Sequence, residues 1–506
     1  MIVPLSSRRL RIFGAVSVVT LLATVTFFYP RWHYEYRDYY DSVTSYFSPP
    51  VYNNTLYSHG NEHLVQKQYN VTDACGRFPD IDGVLLVMKT GATEAYERIP
   101  TQLLTTMSCI PESNFLIFSD LEQQIGSYHL YDALADIDDV DKIRISDFSL
   151  YRSQQDCDVS QKSCVDVASQ SDNAWNLDKY KFLPMLQQTW KMRPGQDWYI
   201  FAEADTYIFW ANMIHWLKKQ SGLNPRSKLY LGSRSFVAGR PFAHGGSGYI
   251  LSQGALKHLV EGHADLTEKY TQKGTEECCG DLLVALALDE YGDIKIRQTW
   301  PMINGEKPTT MPYGENHWCE PILTMHHMNP EEISTVWQFE QTRKTDRILM
   351  MRDLYDSLIA PKMLDTREDW DNLSDDVCYI NPDPVAQERA NSQDRERQRN
   401  EDEMSEVEKE AWRSPEDCAK VCESEIPNDG SASRKERLER ECFQYRWHDE
   451  VCCTSKSFKL GKPVAKPRWE ADPRASWISG WYLAGIQDWI DAKGECKRPA
   501  WKTPEI

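Results

Sequence analysis

The chain has 506 residues, of which 41% are hydrophobic and 11% aromatic. That is enough apolar material for two or more folded domains and too much for a disordered protein. A net charge of −19 argues against a nucleic-acid partner, and fourteen cysteines imply either disulfides or zinc, depending on the compartment.

The N-terminus bears on the compartment. Arg8, Arg9 and Arg11 precede an uncharged run at 12–29, and Arg31 follows. At 1.5 Å per residue this run reaches about 27 Å, enough to cross a thin bilayer. Phe27, Phe28, Tyr29 and Pro30 lack the small-residue pattern of a cleavage site. An uncleaved signal anchor is expected, with the arginines in the cytosol and the bulk of the chain in the lumen. Asn53, Asn70 and Asn372 each open a glycosylation sequon, and in a lumenal protein the cysteines read as disulfides.

Residues 30–74 are expected to be a stem. From Cys75 onward strands and helices alternate. Residues 83–88 read as a buried strand, 95–108 as a helix, 114–120 as a second strand, 175–191 as a helix and 198–202 as a third strand. This alternation predicts an α/β domain with a largely parallel sheet. The third strand stops at Glu203 and Asp205, whose i, i+2 spacing puts both carboxylates on one face of an extended backbone. They could simply begin a polar loop. They could also hold a divalent metal carrying a diphosphate, at the strand end where such sheets bind ligands.

Three further segments carry chemistry. Gly245, Gly246 and Gly248 allow close backbone approach to a ligand, or a tight turn into a strand. Asp281 follows Cys278, Cys279 and Gly280 and leads into an apolar helix, where it suits an N-cap. His326 and His327 lie between Met325 and Met328, as core residues or as metal ligands. Beyond them, 387–410 is dense in both charge signs and reads as a solvated helix or linker. Cys418, Cys422, Cys442, Cys452, Cys453 and Cys496 then predict a separate, disulfide-stapled module.

From about residue 80 to 345 the chain resembles glycosyltransferase family 31, and within it fungal proteins similar to core-1 β1,3-galactosyltransferases and Fringe. The resemblance rests on 198–207, Gly245-Gly246-Ser247-Gly248-Tyr249, Glu277-Cys278-Cys279-Gly280-Asp281 and Met325-His326-His327. The segment around Cys418, Cys422 and Cys442 resembles a PAN/apple module. The family resemblance implies a GT-A (Rossmann-like) fold and a single-pass type II protein of the Golgi or endoplasmic reticulum membrane. It also implies inverting, Mn²⁺-dependent transfer of a hexose from a UDP-sugar to a glycan or glycoprotein hydroxyl. By position, Asp205 and His326 would hold the metal. Glu203, Asp205, Gly245 and Gly246 would face the donor, and Asp281 would be the catalytic base, ionised at its ordinary pKa. Glu203 stands where the family has Asp, and Ser247 where Ala is common. These departures leave a second expectation, a degenerate transferase domain that binds glycan or protein.

The expected organisation is a cytosolic tail at 1–11, a membrane span at 12–29, a stem at 30–74, a transferase domain at 75–386, a charged linker at 387–411 and an α+β module at 412–500.

Overall fold

The computed structural model describes residues 75–164, 170–343, 347–425, 432–465 and 476–505. All described residues belong to one compact unit within Val71–Ile506. The span expected at 12–29, the stem and the sequons at Asn53 and Asn70 lie outside them. Among the described residues no helix is long and apolar enough to cross a membrane.

The first twelve strands are β1 Val84–Lys89, β2 Phe115–Ser119, β3 Gln123–Ile125, β4 Tyr128–Asp132, β5 Trp198–Glu203, β6 Tyr207–Ile208, β7 Tyr230–Gly232, β8 Arg234–Val237, β9 Arg240–Ala243, β10 Tyr249–Ser252, β11 Ile296–Gln298 and β12 Thr324–Met325. Eight of them form one sheet in the order β11-β7-β10-β5-β1-β2-β4-β3. Strands β5, β1, β2 and β4 run parallel, whereas β10 is antiparallel to both β5 and β7. The sheet is therefore mixed, where a largely parallel one was expected.

Both faces of the sheet are covered, which explains the unbroken apolar runs. Leu85 and Val87 of β1 share one core with Tyr199 and Phe201 of β5. Leu86 and Met88 share the other with Trp198 and Ile200. Helix α1, Ala95–Leu104, packs on the second face. The helix expected over 175–191 is two helices, α2 Gln170–Asp178 and α3 Phe182–Met192. Pro184 accounts for the break: it has no N–H for the Tyr180 carbonyl, and its ring crowds that turn. Helix α4, Gly280–Gly292, is apolar and buried against the first face.

A second sheet contains β13 Thr366–Glu368, β14 Val377–Ile380, β15 Gln444–His448, β16 Val451–Ser455 and β17 Ile478–Trp481, in the order β13-β17-β15-β16-β14. It corrects the expected boundary. Two of its strands precede the charged stretch at 387–411, so that stretch is an excursion within the sheet unit. Met404, Val407 and Ala411 in it pack with Tyr379 and Cys418, and buried Asp394 pairs with Arg446 at 2.6 Å. All fourteen cysteines are paired, so zinc is excluded as their partner. Cys453 bonds Cys378 and Cys496 bonds Cys319, across the expected boundary.

Asn372 is a further correction. Its side chain is fully buried; Nδ2 donates to the carbonyls of Tyr445 (2.9 Å) and Gly480 (3.2 Å), and Oδ1 accepts from Ser374 Oγ (2.8 Å). A side chain so engaged is a sheet fastener, not an acceptor for an oligosaccharide.

Candidate active site

Strand β5 ends at Glu203, in register with Lys89 at the end of β1. The chain then turns: the N–H of Thr206 donates to the Glu203 carbonyl at 2.9 Å. Thr206 Oγ1 accepts from the Glu203 N–H (3.2 Å) and donates to the Gly246 carbonyl (2.7 Å), tying this turn to the glycine loop. Strand β12 pairs antiparallel with β6, and the Met328 N–H donates to the Asp205 carbonyl at 3.0 Å. These two anchorings bring the histidine pair beside the acids.

His326 Nε2 lies 3.3 Å from Asp205 Oδ1, while Arg98 reaches Asp205 Oδ2 at 2.7 Å. His327 takes a left-handed backbone, φ 59°, and its ring lies 3.9 Å from that of His326. One donor atom from each of Asp205, His326 and His327 falls within 4.8 Å of the others. His326 Nδ1 is buried without a hydrogen-bond partner, and Asp205 Oδ1 has His326 Nε2 at 3.3 Å but no well-formed hydrogen bond, whereas buried polar atoms ordinarily make one. The set of one carboxylate and two imidazoles thus fits a divalent cation. Burial opposes ionisation of Asp205, but His326 and Arg98 outweigh it and hold the carboxyl well below the usual range.

Glu203 is engaged elsewhere: its carboxylate lies 3.1 Å from Lys89 Nζ, which also meets Asp178 at 2.5 Å. Burial alone would lower the Lys89 pKa; Asp178 and Glu203 reverse that and keep it charged. Lys181 completes the cluster, 2.7 Å from Asp178.

In the glycine loop, the Gly245 N–H donates to Asp281 Oδ2 at 2.8 Å. Gly246 has to be glycine because His326 occupies the space of a side chain. Ser247 is buried; its hydroxyl bonds His244 Nδ1 at 2.7 Å, and its carbonyl accepts from Thr324 Oγ1. The departure at Ser247 therefore has a local reason.

Asp281 is not the N-cap of α4. That position belongs to Cys279, which makes no side-chain cap bond. Asp281 Oδ1 accepts from the N–H of Leu282 at 2.9 Å. Its pKa departs from the ordinary value expected. Burial pushes it up to about 6; the Gly245 and Leu282 N–H groups oppose this, and the Glu203 charge adds to it. Glu203, Asp205, Asp281, His326 and His327 all line one cavity of about 520 Å³.

Lys89, Arg98, Asp178 and Lys181 were not anticipated as members of the site; His327 was noted in the histidine pair, but only His326 was assigned to the metal. Lys89 was legible, since it ends its apolar strand as Glu203 ends its own. His327 carried only the signal of a histidine pair. Arg98 sits on a helix face with nothing in its spacing to mark it.

A strand-end acid with two histidines, beside a separate buried carboxylate of raised pKa, provides the parts of a metal-assisted group-transfer site. No family profile matches the chain. Over 165 residues it is 24% identical to the Xenopus laevis glycoprotein-N-acetylgalactosamine 3-beta-galactosyltransferase 1, an alignment that takes in 28% of this chain and 45% of that protein. The chain thus spans less than half the length of the curated relative it matches.

Proposed function

We propose that the chain is an inverting glycosyltransferase of GT-A type, moving a hexose such as galactose from a UDP-sugar to a hydroxyl of a glycan or glycoprotein, in β1,3 linkage. The observation that carries this is the division of labour within one cavity: Asp205 and His326 meet at the strand end, while Asp281 stands apart from them on α4. The relative's name supports the galactosyl group and a sugar borne on a glycoprotein as acceptor.

Asp205 and His326 would hold Mn²⁺, with His327 in reach as a third ligand. A divalent cation bound there supplies positive charge against the diphosphate of the donor. Asp281 takes the proton of the attacking hydroxyl. The N–H groups of Gly245 and Leu282 fix one carboxylate oxygen each and so orient it. A base whose pKa approaches the working pH transfers protons better than an ordinary aspartate, provided it remains ionised. Lys89 holds Glu203 in place at the donor end. Seven disulfides support a lumenal setting, consistent with a Golgi or endoplasmic reticulum protein anchored by 12–29.

The ion pairs of Arg98 with Asp205 and of Lys89 with Glu203 favour the second reading, a binding protein that no longer turns over. UDP release from a panel of UDP-sugars, with Mn²⁺ and with chelator, separates the two. Metal-dependent release that Asp205→Asn abolishes is the expected result. UDP binding with no release from any donor would leave the binding protein.

A further inference from the structure

Cys278 and Cys279 are adjacent in sequence and bonded to each other. Disulfides stabilise by closing loops, and more so for long ones; a bond between neighbours closes none. Neither sulfur serves as a cap for α4, and both residues are only partly buried, at the wall of the cavity that holds Asp281. The pair therefore has no structural task of the kind the other six bridges perform.

Its surroundings hold it rigid. Arg240 donates two hydrogen bonds to Glu277, at 2.6 and 2.8 Å. Lys179 Nζ donates to the Glu277 carbonyl at 3.4 Å. On the other side Gly280 is pressed against Phe182 and the Lys179 carbonyl, with no room for a Cβ. The result is a fixed apolar surface two residues from Asp281. Trp175, on α2, lines the same cavity yet leaves 57% of its surface exposed. Tryptophan is enriched among the residues that carry binding energy at recognition surfaces, and this one is open to a ligand in the cavity.

We infer that Trp175 and the Cys278–Cys279 disulfide form the acceptor subsite, receiving the apolar C–H face of a hexopyranose whose hydroxyl reaches Asp281. This rests on the transferase reading. Asp205 and His326, which line the same cavity, are reserved on that reading for the donor. Indole and polarizable sulfur suit a surface of C–H groups, and a vicinal disulfide has no side-chain freedom to lose on binding, so the subsite is pre-organised. The acceptor group is thus a sugar ring and not a bare serine or threonine side chain, which would leave both surfaces uncovered.

The test uses the full chain in detergent, loaded with UDP and Mn²⁺. Saturation-transfer NMR and calorimetry are run with methyl α- and β-hexopyranosides, including the galactoside, glucoside and N-acetylgalactosaminide. At least one should show transfer to its ring C–H protons. Trp175→Ala, and independently Cys278→Ser/Cys279→Ser, should weaken its binding about tenfold or more while UDP affinity stays unchanged. Trp175 is largely exposed, so its variant remains informative even if the double cysteine variant does not fold. Absence of binding to every methyl hexopyranoside, or binding unchanged in Trp175→Ala, overturns the subsite. If the wild-type chain binds no UDP with Mn²⁺, the transferase reading itself falls; UDP binding with an unaffected Trp175 variant sinks the subsite alone.

Discussion

Gly246 lies so close to His326 that a methyl group in its place would stand 2.2 Å from the ring Cε1. The glycine loop therefore does more than turn the chain: it sets the position of a candidate metal ligand. Gly246→Ala should push the ring away from Asp205 and weaken Mn²⁺-dependent UDP binding by about tenfold to a hundredfold, the range for losing a group that orients a ligand. Overpacking a buried ring should also cost about 1–3 kcal/mol of stability, so the variant is compared at a temperature where it remains folded. Calorimetry of UDP with and without Mn²⁺ checks this. Wild-type affinity in the variant would mean that His326 is not a ligand.

Asp205 and Asp281 should fail in different ways. Asp205→Asn removes a charge from the cation cradle, so UDP affinity and metal dependence fall together. On the proposed reading Asp281 takes the proton as the hydroxyl attacks the anomeric carbon, so Asp281→Asn should bind UDP with near wild-type affinity. Its UDP-sugar hydrolysis, in which water replaces the acceptor, should drop about a hundredfold or more. Asn offers one oxygen where two N–H groups, of Gly245 and Leu282, meet separate oxygens. A loss of about 1 kcal/mol in stability should accompany the change. Normal turnover in this variant would leave the chain without its assigned base.

If Asp281 is the base, the same carboxylate should set the acid limb of the pH profile. Asp281 works as a base only when ionised, and its pKa is raised to about 6. The rate of hydrolysis should be flat above that value and fall about tenfold per unit below it. Part of the rise comes from the Glu203 charge. Glu203→Gln removes that charge, stabilises the ionised form, and should move the limb to lower pH. A limb that stays put, or moves upward, contradicts the assignment.

Much of this arrangement was legible in the sequence, for physical reasons. Continuous apolar runs such as 84–88 and 198–202 mark strands buried on both faces, and both are. Carboxylates after such a run mark the strand's carboxyl end, and Asp205 stands there beside His326. Pairing was not legible. Nothing in the spacing of Glu203 revealed that Lys89, 114 positions earlier in the chain, would be its register partner. Asp281 read as an N-cap because the helix start is uncertain by a residue or two from sequence. The charged stretch at 387–411 read as a linker because composition reports solvation, whereas the pairing of β14 with β16 that encloses it is a non-local contact.

Asn372 separates the sequon from the fold. With its amide spent on two carbonyls inside the second sheet, it should carry no glycan in secreted or microsomal protein. Peptide mapping after deglycosylation in heavy-oxygen water would show this as an unlabelled site. Asn372→Gln should also lower stability by about 1–3 kcal/mol, because the longer side chain cannot meet the same carbonyls and leaves them unpaired in a buried place. A glycan found on Asn372 of folded protein would contradict the sheet geometry.

The cysteine-rich end was expected to be a separate module, and the packing argues otherwise. Trp318, just before Cys319, meets Trp489 of the final helix, Leu483–Lys493, with ring centroids 5.2 Å apart. Tyr355 meets Phe458 at 5.1 Å. Trp318, Phe458 and Trp489 belong to one buried core with Met325, the residue before His326. The Cys319–Cys496 bond clips the chain end to the same place. Truncation near residue 411 would strip this core of Phe443, Phe458, Trp481 and Trp489 and leave Cys319 and Cys378 without partners. The shortened chain should therefore yield no soluble monomer, instead of the active enzyme that a detachable module would give. Two milder variants tell packing from linkage. Trp489→Ala should cost about 3–5 kcal/mol, and Cys496→Ser about 2–5 kcal/mol, both read as a fall in the midpoint of cooperative unfolding. Because the core reaches Met325, either variant should loosen the histidine pair and reduce Mn²⁺-dependent UDP affinity before it unfolds the chain. A soluble chain ending near 411 that melts cooperatively and binds UDP would show the second sheet to be separable and its core to have no bearing on the candidate metal ligands.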